Sequence, residues 1–314
     1  MTRYLLKRLG GMLVVLLLVS LLSFAIIALV PGDPAAAFVD PGASAEQLAR
    51  LRHELGLDLP LGEQMLAWYG RLLHGDLGQS ILLRRSVTDA LLERLPVTLS
   101  LAGIALVFAV AIGVAAGTLA AVYRARWPDQ SIMVAALLGL SVPDFWLALM
   151  LVFLFAVRLG WVPTGGFVPI EQDPVAWLRS IALPATTLAA VQIGFVARMT
   201  RASVLDVLHQ DFIRTANAKG LGRMTVLRRH ALPNAIVPIL TVGGIVAGAL
   251  LGGAVIVEQV YSIPGVGRLI VGAILSRDYP VIQGGLLFLA TIYLVVNFAV
   301  DLLYAVADPR IRLE

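Results

Sequence analysis

The sequence predicts an all-α polytopic membrane protein with six transmembrane helices and an extracytoplasmic helical insertion between the first two. Two observations support this fold class. Hydrophobic residues make up 59% of the 314 residues and charged residues only 14%, with a mean hydropathy of +0.88, which is far outside the composition of soluble domains. Six apolar runs, separated by polar segments, have lengths near that needed to cross a bilayer as a helix.

The first predicted span, residues 9–30, follows Arg3, Lys7 and Arg8 and ends at a Pro-Gly-Asp-Pro turn. A signal peptide also begins with basic residues, but its apolar core is shorter and a small-residue cleavage site follows it. Residues 1–30 are therefore interpreted as a cytoplasmic N-terminal tail with a retained first span.

Residues 31–95 form the longest segment between spans and are predicted to be the extracytoplasmic helical insertion. Ser44 and Gln47 have the spacing of a capping box at a helix start, and a second amphipathic stretch covers residues 61–73. The insertion is either a cap on the spans or a wall that faces another protein, and the sequence leaves both alternatives open.

Residues 96–305 are predicted to be the core transmembrane domain. Its five spans are expected at residues 96–122, 131–157, 181–196, 235–257 and 281–305. The third carries Pro143 and Asp144, where a proline kinks the helix for packing or for a pathway. The sixth contains Asn297 and Asp301, which share one helix face and serve either a structural hydrogen bond or a pathway. With Gln192 of the fourth span, these residues are the pathway candidates.

Basic residues flank the spans at 3–8, 124–126, 198–229 and 310–312, so both chain ends and the 306–314 tail are predicted to be cytoplasmic. The densest basic segment belongs to a predicted cytoplasmic loop at 198–233. A pI near 9.7 could indicate nucleic acid, but the arginines are scattered between apolar runs. Membrane orientation explains them better, and no nucleic-acid partner is expected.

Several kinds of chemistry are excluded or disfavoured. The chain has no cysteine, and its four histidines are isolated, so no metal site or catalytic residue is predicted. Neither Lys7 nor Lys219 follows a glycine, so a phosphate-binding P-loop is absent and any ATP must bind another polypeptide. A self-contained channel or carrier would be expected to carry buried charges in several spans, and the predicted spans are nearly free of them.

Within the 198–233 loop, Asp211 is expected to cap a short helix over residues 212–219, and Gly220 is expected to end it in a left-handed conformation. A second helical segment is expected from about Met224 to Pro233, since proline cannot continue a helix without losing a hydrogen bond. The prediction is a helix, a glycine turn and another helix.

This loop resembles the cytoplasmic signature of permease subunits of ABC importers, which reads E-A-A, three residues, G, nine residues, I-x-L-P. Counted from Gly220, the chain has Arg214-Thr215-Ala216 at the first element and Leu232-Pro233 at the last. R-T-A in place of E-A-A is similar to the peptide branch, which imports dipeptides, oligopeptides, nickel or glutathione. Five further stretches resemble the same branch: 29–34, 75–80, 140–143, 277–284 and 308–312.

The resemblance implies a permease of the bacterial inner membrane that forms half of a translocation pathway for peptides, with nickel or glutathione as alternative substrates. It implies four partners besides the lipid bilayer: a second homologous permease, two cytoplasmic ATPase subunits and an extracytoplasmic binding protein. ATP and Mg²⁺ would be bound by the ATPase subunits, so this chain would hold no cofactor and would not be an enzyme. A self-contained carrier or channel and an intramembrane enzyme are the alternatives from other classes.

Two groups of site residues follow from the resemblance. The residues expected to couple the permease to an ATPase are Arg214, Thr215, Ala216, Asn217, Lys219, Gly220, Leu221, Leu232 and Pro233. The residues expected to dock the binding protein are Arg84 and Arg85 of the insertion, with Tyr261 and Tyr279 of an outer loop at residues 258–279.

Overall fold

The computed structural model describes residues 2–29, 44–54 and 58–307, and no β-strand occurs within these ranges. Its helices are α1 (Thr2–Leu29), α2 (Ala45–Glu54), α3 (Leu61–Leu73), α4 (Val87–Val122), α5 (Trp127–Ser141), α6 (Asp144–Leu151), α7 (Pro174–Leu208), α8 (Asp211–Ala218), α9 (Arg223–Val226), α10 (Leu232–Val260), α11 (Val266–Ser276) and α12 (Tyr279–Ala307). Two π-helical segments, Val152–Arg158 and Leu227–Ala231, continue α6 and α9. Residues 308–314 of the predicted tail and much of the insertion's first part lie outside the described residues.

The all-α membrane fold class is confirmed. Five helical segments of the described chain are long and apolar enough to cross a membrane: Leu6–Ala25, Val87–Val122, Pro174–Leu208, Arg223–Val260 and Tyr279–Leu302. The predicted third span is a pair of helices, α5 and α6 with its π-helical continuation, bent by 104°. Counting that pair as one span gives six. The fourth span, predicted as the shortest at residues 181–196, lies within a helix of 35 residues.

The bend in the third span is sharper than the kink that Pro143 predicts. Val142 and Pro143 both have extended backbones, with ψ angles of 124° and 137°, so α5 ends at Ser141 and α6 begins afresh at Asp144. A proline ring disfavours helical geometry in the residue before it, and proline itself cannot donate a backbone hydrogen bond. The sequence therefore breaks this span into two helices.

By its internal contacts the described chain divides into two compact units, of which the first combines Met1–Val97 with Pro264–Leu294. Its core is a buried cluster of Val87 and Leu91 from α4, Val281 from α12, and three residues of α11: Val266, Ile270 and Ala273. Helix α11 lies within residues 258–279, which were predicted to form an outer loop. Since α11 buries one apolar face in this core, that part of the loop is a structural helix.

A buried carboxylate fixes the turn before α4 in this first unit. Asp278 is 1% exposed and accepts hydrogen bonds from the Ser80 hydroxyl at 2.5 Å and the Leu82 amide at 3.1 Å. Earlier in the same unit, the predicted capping box is confirmed, since the Ser44 amide donates to Gln47 and the Gln47 amide donates to Ser44 Oγ. The insertion is therefore organised partly by side chains that bind backbone groups.

The second unit combines Thr98–Ile263 with Val295–Glu314, and α7 packs on α5 and α10 at its centre. Small residues bring these helices close together. A side chain at Gly194 of α7 would lie 2.6 Å from the carbonyl oxygen of Ala136 in α5, and one at Gly253 of α10 would lie 2.9 Å from Leu188. Glycine permits such close helix approach in a membrane.

Two glycines of α4 differ in how closely another helix approaches them, so we expect different effects when each is replaced by alanine. A Cβ at Gly117 would lie 2.3 Å from the Ala197 carbonyl oxygen of α7, whereas a Cβ at Gly103 would have no atom within 4 Å. Both Gly→Ala changes gain the same helix propensity. We expect Gly117→Ala to destabilise the purified chain by about 1–3 kcal/mol through overpacking and Gly103→Ala not to. Equal thermal unfolding midpoints for the two variants would contradict this packing.

Candidate functional site

The candidate coupling site is built around helix α8, which has one buried and one exposed face. Ile213 and Ala216 are 2% and 6% exposed, whereas Arg214, Thr215 and Asn217 are exposed. The buried pair packs into a cluster with residues of α4, α7, α9, the π-helical segment after it and α10, namely Ala121, Val204, Val207, Val226, Leu227, Ala231, Ala235 and Ile239. Because that cluster holds one face, the polar residues of α8 form an exposed surface on a fixed helix.

The start of α8 differs from the prediction by one position. Gln210, with an extended ψ of 153°, precedes the first helical residue, and it makes no side-chain cap hydrogen bond. Asp211 is therefore not the cap but a residue of the first turn, where its negative charge favours the helix dipole. Its carboxylate accepts from Arg214 Nη1 at 3.2 Å.

Gly220 ends this segment as predicted, with a φ of +79°. The Gly220 amide donates to the Asn217 carbonyl at 2.9 Å, and the Leu221 amide donates to the Ala216 carbonyl at 3.3 Å. This pair of hydrogen bonds is the Schellman motif, which satisfies the last carbonyls of a helix and places glycine at the left-handed position. Gly220 therefore fixes the direction in which the chain leaves α8.

Leu232 and Pro233 occupy a different place from the one predicted. Pro233 was expected to end a helix beginning near Met224, but it lies in the first turn of α10. Pro233 cannot donate a backbone hydrogen bond, and the π-helical turn Leu227–Ala231 directly before it is the kind of local adjustment that accommodates a proline within a helical segment. Residues Arg223–Val260 thus form one long helical segment from the coupling site into a candidate span.

Three arginines tie the surroundings of α8 to neighbouring helices. Arg223 donates to the Val122 carbonyl at the end of α4, and Arg124 contacts the His209 ring at 2.9 Å. Arg201 of α7 donates to both carboxylate oxygens of Asp129 in α5, at 2.6 and 2.7 Å. The Asp129 pair was not predicted because the two residues lie 72 positions apart in sequence, and an acidic residue at the start of a span is the one local signal of it.

The pathway candidates lie on three helices and the break before one of them. Asp144 begins α6, and one of its carboxylate oxygens is covered without a hydrogen-bond partner among the described residues. Gln192 is half-buried in α7, and Asn297 and Asp301 are half-buried in α12. Pro143 is exposed at the break between α5 and α6. Each remains a candidate for the pathway.

The docking candidates divide into two exposed and two buried residues. Arg84 and Arg85 are exposed, with Arg85 paired to Glu93 at 2.6 Å. Tyr261 is 1% exposed, with its hydroxyl 2.8 Å from that of Thr187, and Tyr279 is 8% exposed. Neither tyrosine is available at a surface in this structure, so the expectation that they contact a binding protein is corrected.

Tyr261 is buried because α10 is longer than predicted. The predicted outer loop began at Glu258, but α10 continues to Val260 and buries Glu258 completely. The Glu258 carboxylate accepts a hydrogen bond from the Thr98 hydroxyl at 2.6 Å, which permits a polar group inside the packed unit. Tyr261, which directly follows α10, is therefore buried as well.

The fold is similar to that of solved ABC transporters. It matches an inward-facing conformation of the MetNI methionine ABC transporter with a TM-score of 0.57 and 19% identity, covering 69% of this chain and 96% of that one. An amino acid ABC transporter structure, determined with histidines, matches with a TM-score of 0.51 and 18% identity over 71% of this chain and 95% of that one. At these identities the similarity shows the fold alone.

Sequence comparison shows the family. Residues 113–313 match the family described as binding-protein-dependent transport system inner membrane component, and residues 1–102 match the corresponding N-terminal family. A provisionally named peptide transport system permease protein of Brucella abortus (strain 2308) is 49% identical over 314 residues, covering 100% of both chains.

Two further relatives each match over 99% of both chains. The glutathione transport system permease protein GsiC of Escherichia coli O6:H1 is 43% identical over 312 residues. The di/tripeptide transport system permease protein DppB of Pseudomonas aeruginosa (strain UCBPP-PA14) is 41% identical over 337 residues. This chain therefore belongs to the family of inner membrane components of binding-protein-dependent transport systems.

Proposed function

We propose that this membrane permease forms half of the translocation pathway of an ATP-driven importer for short peptides. The observation that carries the proposal is the similarity along the whole chain to permeases named for di/tripeptide and glutathione transport. Glutathione is itself a tripeptide, so the two names share one substrate chemistry. Glutathione import is the second candidate function. Nickel import is the remaining alternative, and the uptake experiment below also tests it.

The partners proposed for the chain are a second homologous permease, two ATPase subunits and an extracytoplasmic binding protein. The ATPase subunits would bind ATP and Mg²⁺ and hydrolyse the nucleotide. This chain would transmit their conformational change to the transmembrane spans. It would lie in the bacterial inner membrane with both ends and α8 on the cytoplasmic side.

Helix α8 is proposed to dock on one ATPase subunit and to act as a lever. Its exposed Arg214, Thr215 and Asn217 would meet the ATPase, with Lys219 and Leu221 beside them. Three features support rigid transmission: the buried cluster beneath Ile213 and Ala216, the hydrogen-bonded turn at Gly220, and the unbroken helical segment Arg223–Val260. A displacement of α8 would thereby reach the spans.

Arg214 would contact the ATPase differently from the glutamate of the general signature. Its guanidinium is a planar donor that suits a carboxylate on the partner, and its own helix already supplies Asp211 within 3.2 Å. We therefore expect an acidic group on the facing ATPase surface.

Copurification tests the subunit composition. The tagged chain, solubilised from its native membrane, should bring down a second permease and ATPase subunits, whereas a self-contained carrier or an enzyme would be isolated alone. Uptake by the isolated complex, with its binding protein, should then be competed by dipeptides or tripeptides. Competition by nickel salts but not by peptides would reject the proposed substrate class.

The proposed orientation predicts where a reporter fused after Glu314 is active. Basic flanks favour the cytoplasmic side, so a reporter that functions only in the cytoplasm should be active in this position. A matched fusion after Ser80, within the proposed extracytoplasmic insertion, should be inactive. Activity of the Glu314 fusion only with an extracytoplasmic reporter would overturn the orientation.

Reversing the charges of Arg84 and Arg85 is expected to weaken binding-protein docking. Both side chains are exposed next to the turn that Asp278 fixes, and rim charges act mainly on association rate and salt dependence. We expect the double change to Glu to lower apparent affinity about two- to five-fold at low salt. Arg71→Glu, at an exposed position of α3, is the control. Unchanged affinity of a folded, assembled double variant would favour the cap alternative for the insertion.

A further inference from the structure

An apolar groove of about 650 Å³ lies in the second unit, between the C-terminal half of α4 and the first turns of α10. Fifteen residues line it, among them Val114 and Leu119 of α4, Met224 of α9, and Ile236 and Leu240 of α10. None of the fifteen is charged, and only Thr118 and Tyr123 carry polar side-chain groups. Its size lies within the range of about 300–1,000 Å³ typical of ligand sites.

One end of the groove carries positive charge. Val122, Tyr123 and Met224 form that end, and the Arg223 guanidinium donates to the Val122 carbonyl there. Arg124 and Arg126 come just after the end of α4, which forms one wall of the groove, and both are exposed. The nearby carboxylate of Asp129 is bound by Arg201, so it does not neutralise Arg223. The other end, near Val110 and Gly243, is apolar and lies within the spans.

We propose that this groove binds one anionic phospholipid of the membrane, with its phosphate at Arg223 and an acyl chain along α4 and α10. Basic pockets between transmembrane helices attract anionic headgroups, and the apolar length of the groove matches the chemistry of the attached chain. The inference depends on the membrane location of the chain and not on the proposed substrate.

Lipid retention by the full-length chain tests this site. Detergent-purified protein would be mixed with dioleoylphosphatidylglycerol or dioleoylphosphatidylcholine, which share acyl chains, and bound lipid would be counted by native mass spectrometry. The anionic lipid should be retained about five-fold more, the ratio expected for one arginine near an anionic group. Equal retention of the two lipids would overturn the proposal.

Variants at the basic end of the groove distinguish an effect of the Arg223 charge from a structural effect of the substitution. Arg223→Gln should abolish the preference for the anionic lipid, and Arg223→Lys should keep most of it because the charge remains. Arg198→Gln removes an exposed arginine of α7 that does not line the groove and should have no effect. An anionic preference that survives Arg223→Gln would overturn the proposed headgroup contact.

Filling the groove gives an independent test that does not touch Arg223. Ala115 is exposed within the groove, so Ala115→Phe should reduce retention of both lipids, whereas Ile112→Phe, on an exposed position of the same helix outside the groove, should not. A photocrosslinker at Leu119 should label lipid in native membranes. Labelling of a second polypeptide instead would show that a protein covers the groove and would overturn the proposal.

Discussion

Gly220→Val is expected to uncouple ATP hydrolysis from uptake in the assembled importer. The residue has a φ of +79° and closes the hydrogen-bonded turn after α8, and an added Cβ would meet no atom within 4 Å. The penalty therefore comes from the backbone and not from a clash. A left-handed conformation costs an ordinary residue about 1–2 kcal/mol, and a β-branched one more. Such a cost shifts the population of the correct turn by roughly 5–30-fold.

A matched control lies two residues further on. Gly222 has an extended backbone, with φ −64° and ψ 147°, and an added Cβ there also meets no atom within 4 Å, so Gly222→Val should behave like the wild type. Gly220→Asn should fall between the two because asparagine tolerates positive φ. Substrate-stimulated ATPase activity and uptake would be measured together in proteoliposomes with the binding protein. If both activities of Gly220→Val equal those of Gly222→Val, the lever role of the turn is wrong.

Asp129→Asn is expected to cause the largest loss of stability among the single substitutions considered. The side chain is 4% exposed and accepts two hydrogen bonds from Arg201 and a third, at 2.9 Å, from the Ala125 amide. Removing one member of a fully buried pair costs about 3–5 kcal/mol, and because the Arg201 side chain left behind is 28% exposed and partly solvated, we expect a loss of about 2–4 kcal/mol. Since the pair joins α5 to α7, uptake should fall with it.

Thermal unfolding can be followed with a thiol reporter because the natural chain has no cysteine. A cysteine replacing buried Val204 would react with a maleimide only when the unit opens. Asp206→Asn, the same change at an exposed position of α7, is the control and should not alter the unfolding midpoint. The double variant Asp129→Asn with Arg201→Gln should recover part of the loss, since it removes both charges. Equal midpoints for the two aspartate variants would show that the ion pair contributes little.

Hydrophobic composition and local turn chemistry made the main features predictable from sequence. The membrane fold class, the helix before Gly220 and the positive φ of Gly220 depend on apolar run length and on nearby residues, and the structure confirms them. The break at Pro143 was predictable in place, but its angle of 104° depends on how α6 packs on α7 and α10. Local sequence does not contain that packing.

The errors arose where distant residues satisfy polar groups. Glu258 was interpreted as the start of a loop because the apolar run of the fifth span ends at residue 257, yet Thr98, 160 residues earlier, donates a hydrogen bond to it within the packed unit. Tyr261 was interpreted as a surface residue because it follows Glu258 in the predicted loop, and Thr187 satisfies its hydroxyl. Helix α11 was missed because the apolar partners that bury its face come from α4 and α12. Each of these partners is visible only in the folded chain.

ATP-dependent peptide uptake is the measurement that tests the proposed function most directly. A complex isolated through a tag on this chain would be placed in proteoliposomes with its binding protein, and accumulation of a labelled dipeptide and of labelled glutathione would be followed with and without ATP. We expect accumulation of at least one of the two that requires ATP, the binding protein and the ATPase subunits. Accumulation by this chain alone without ATP, or a complete and ATP-hydrolysing complex that moves neither peptide, would contradict the proposal.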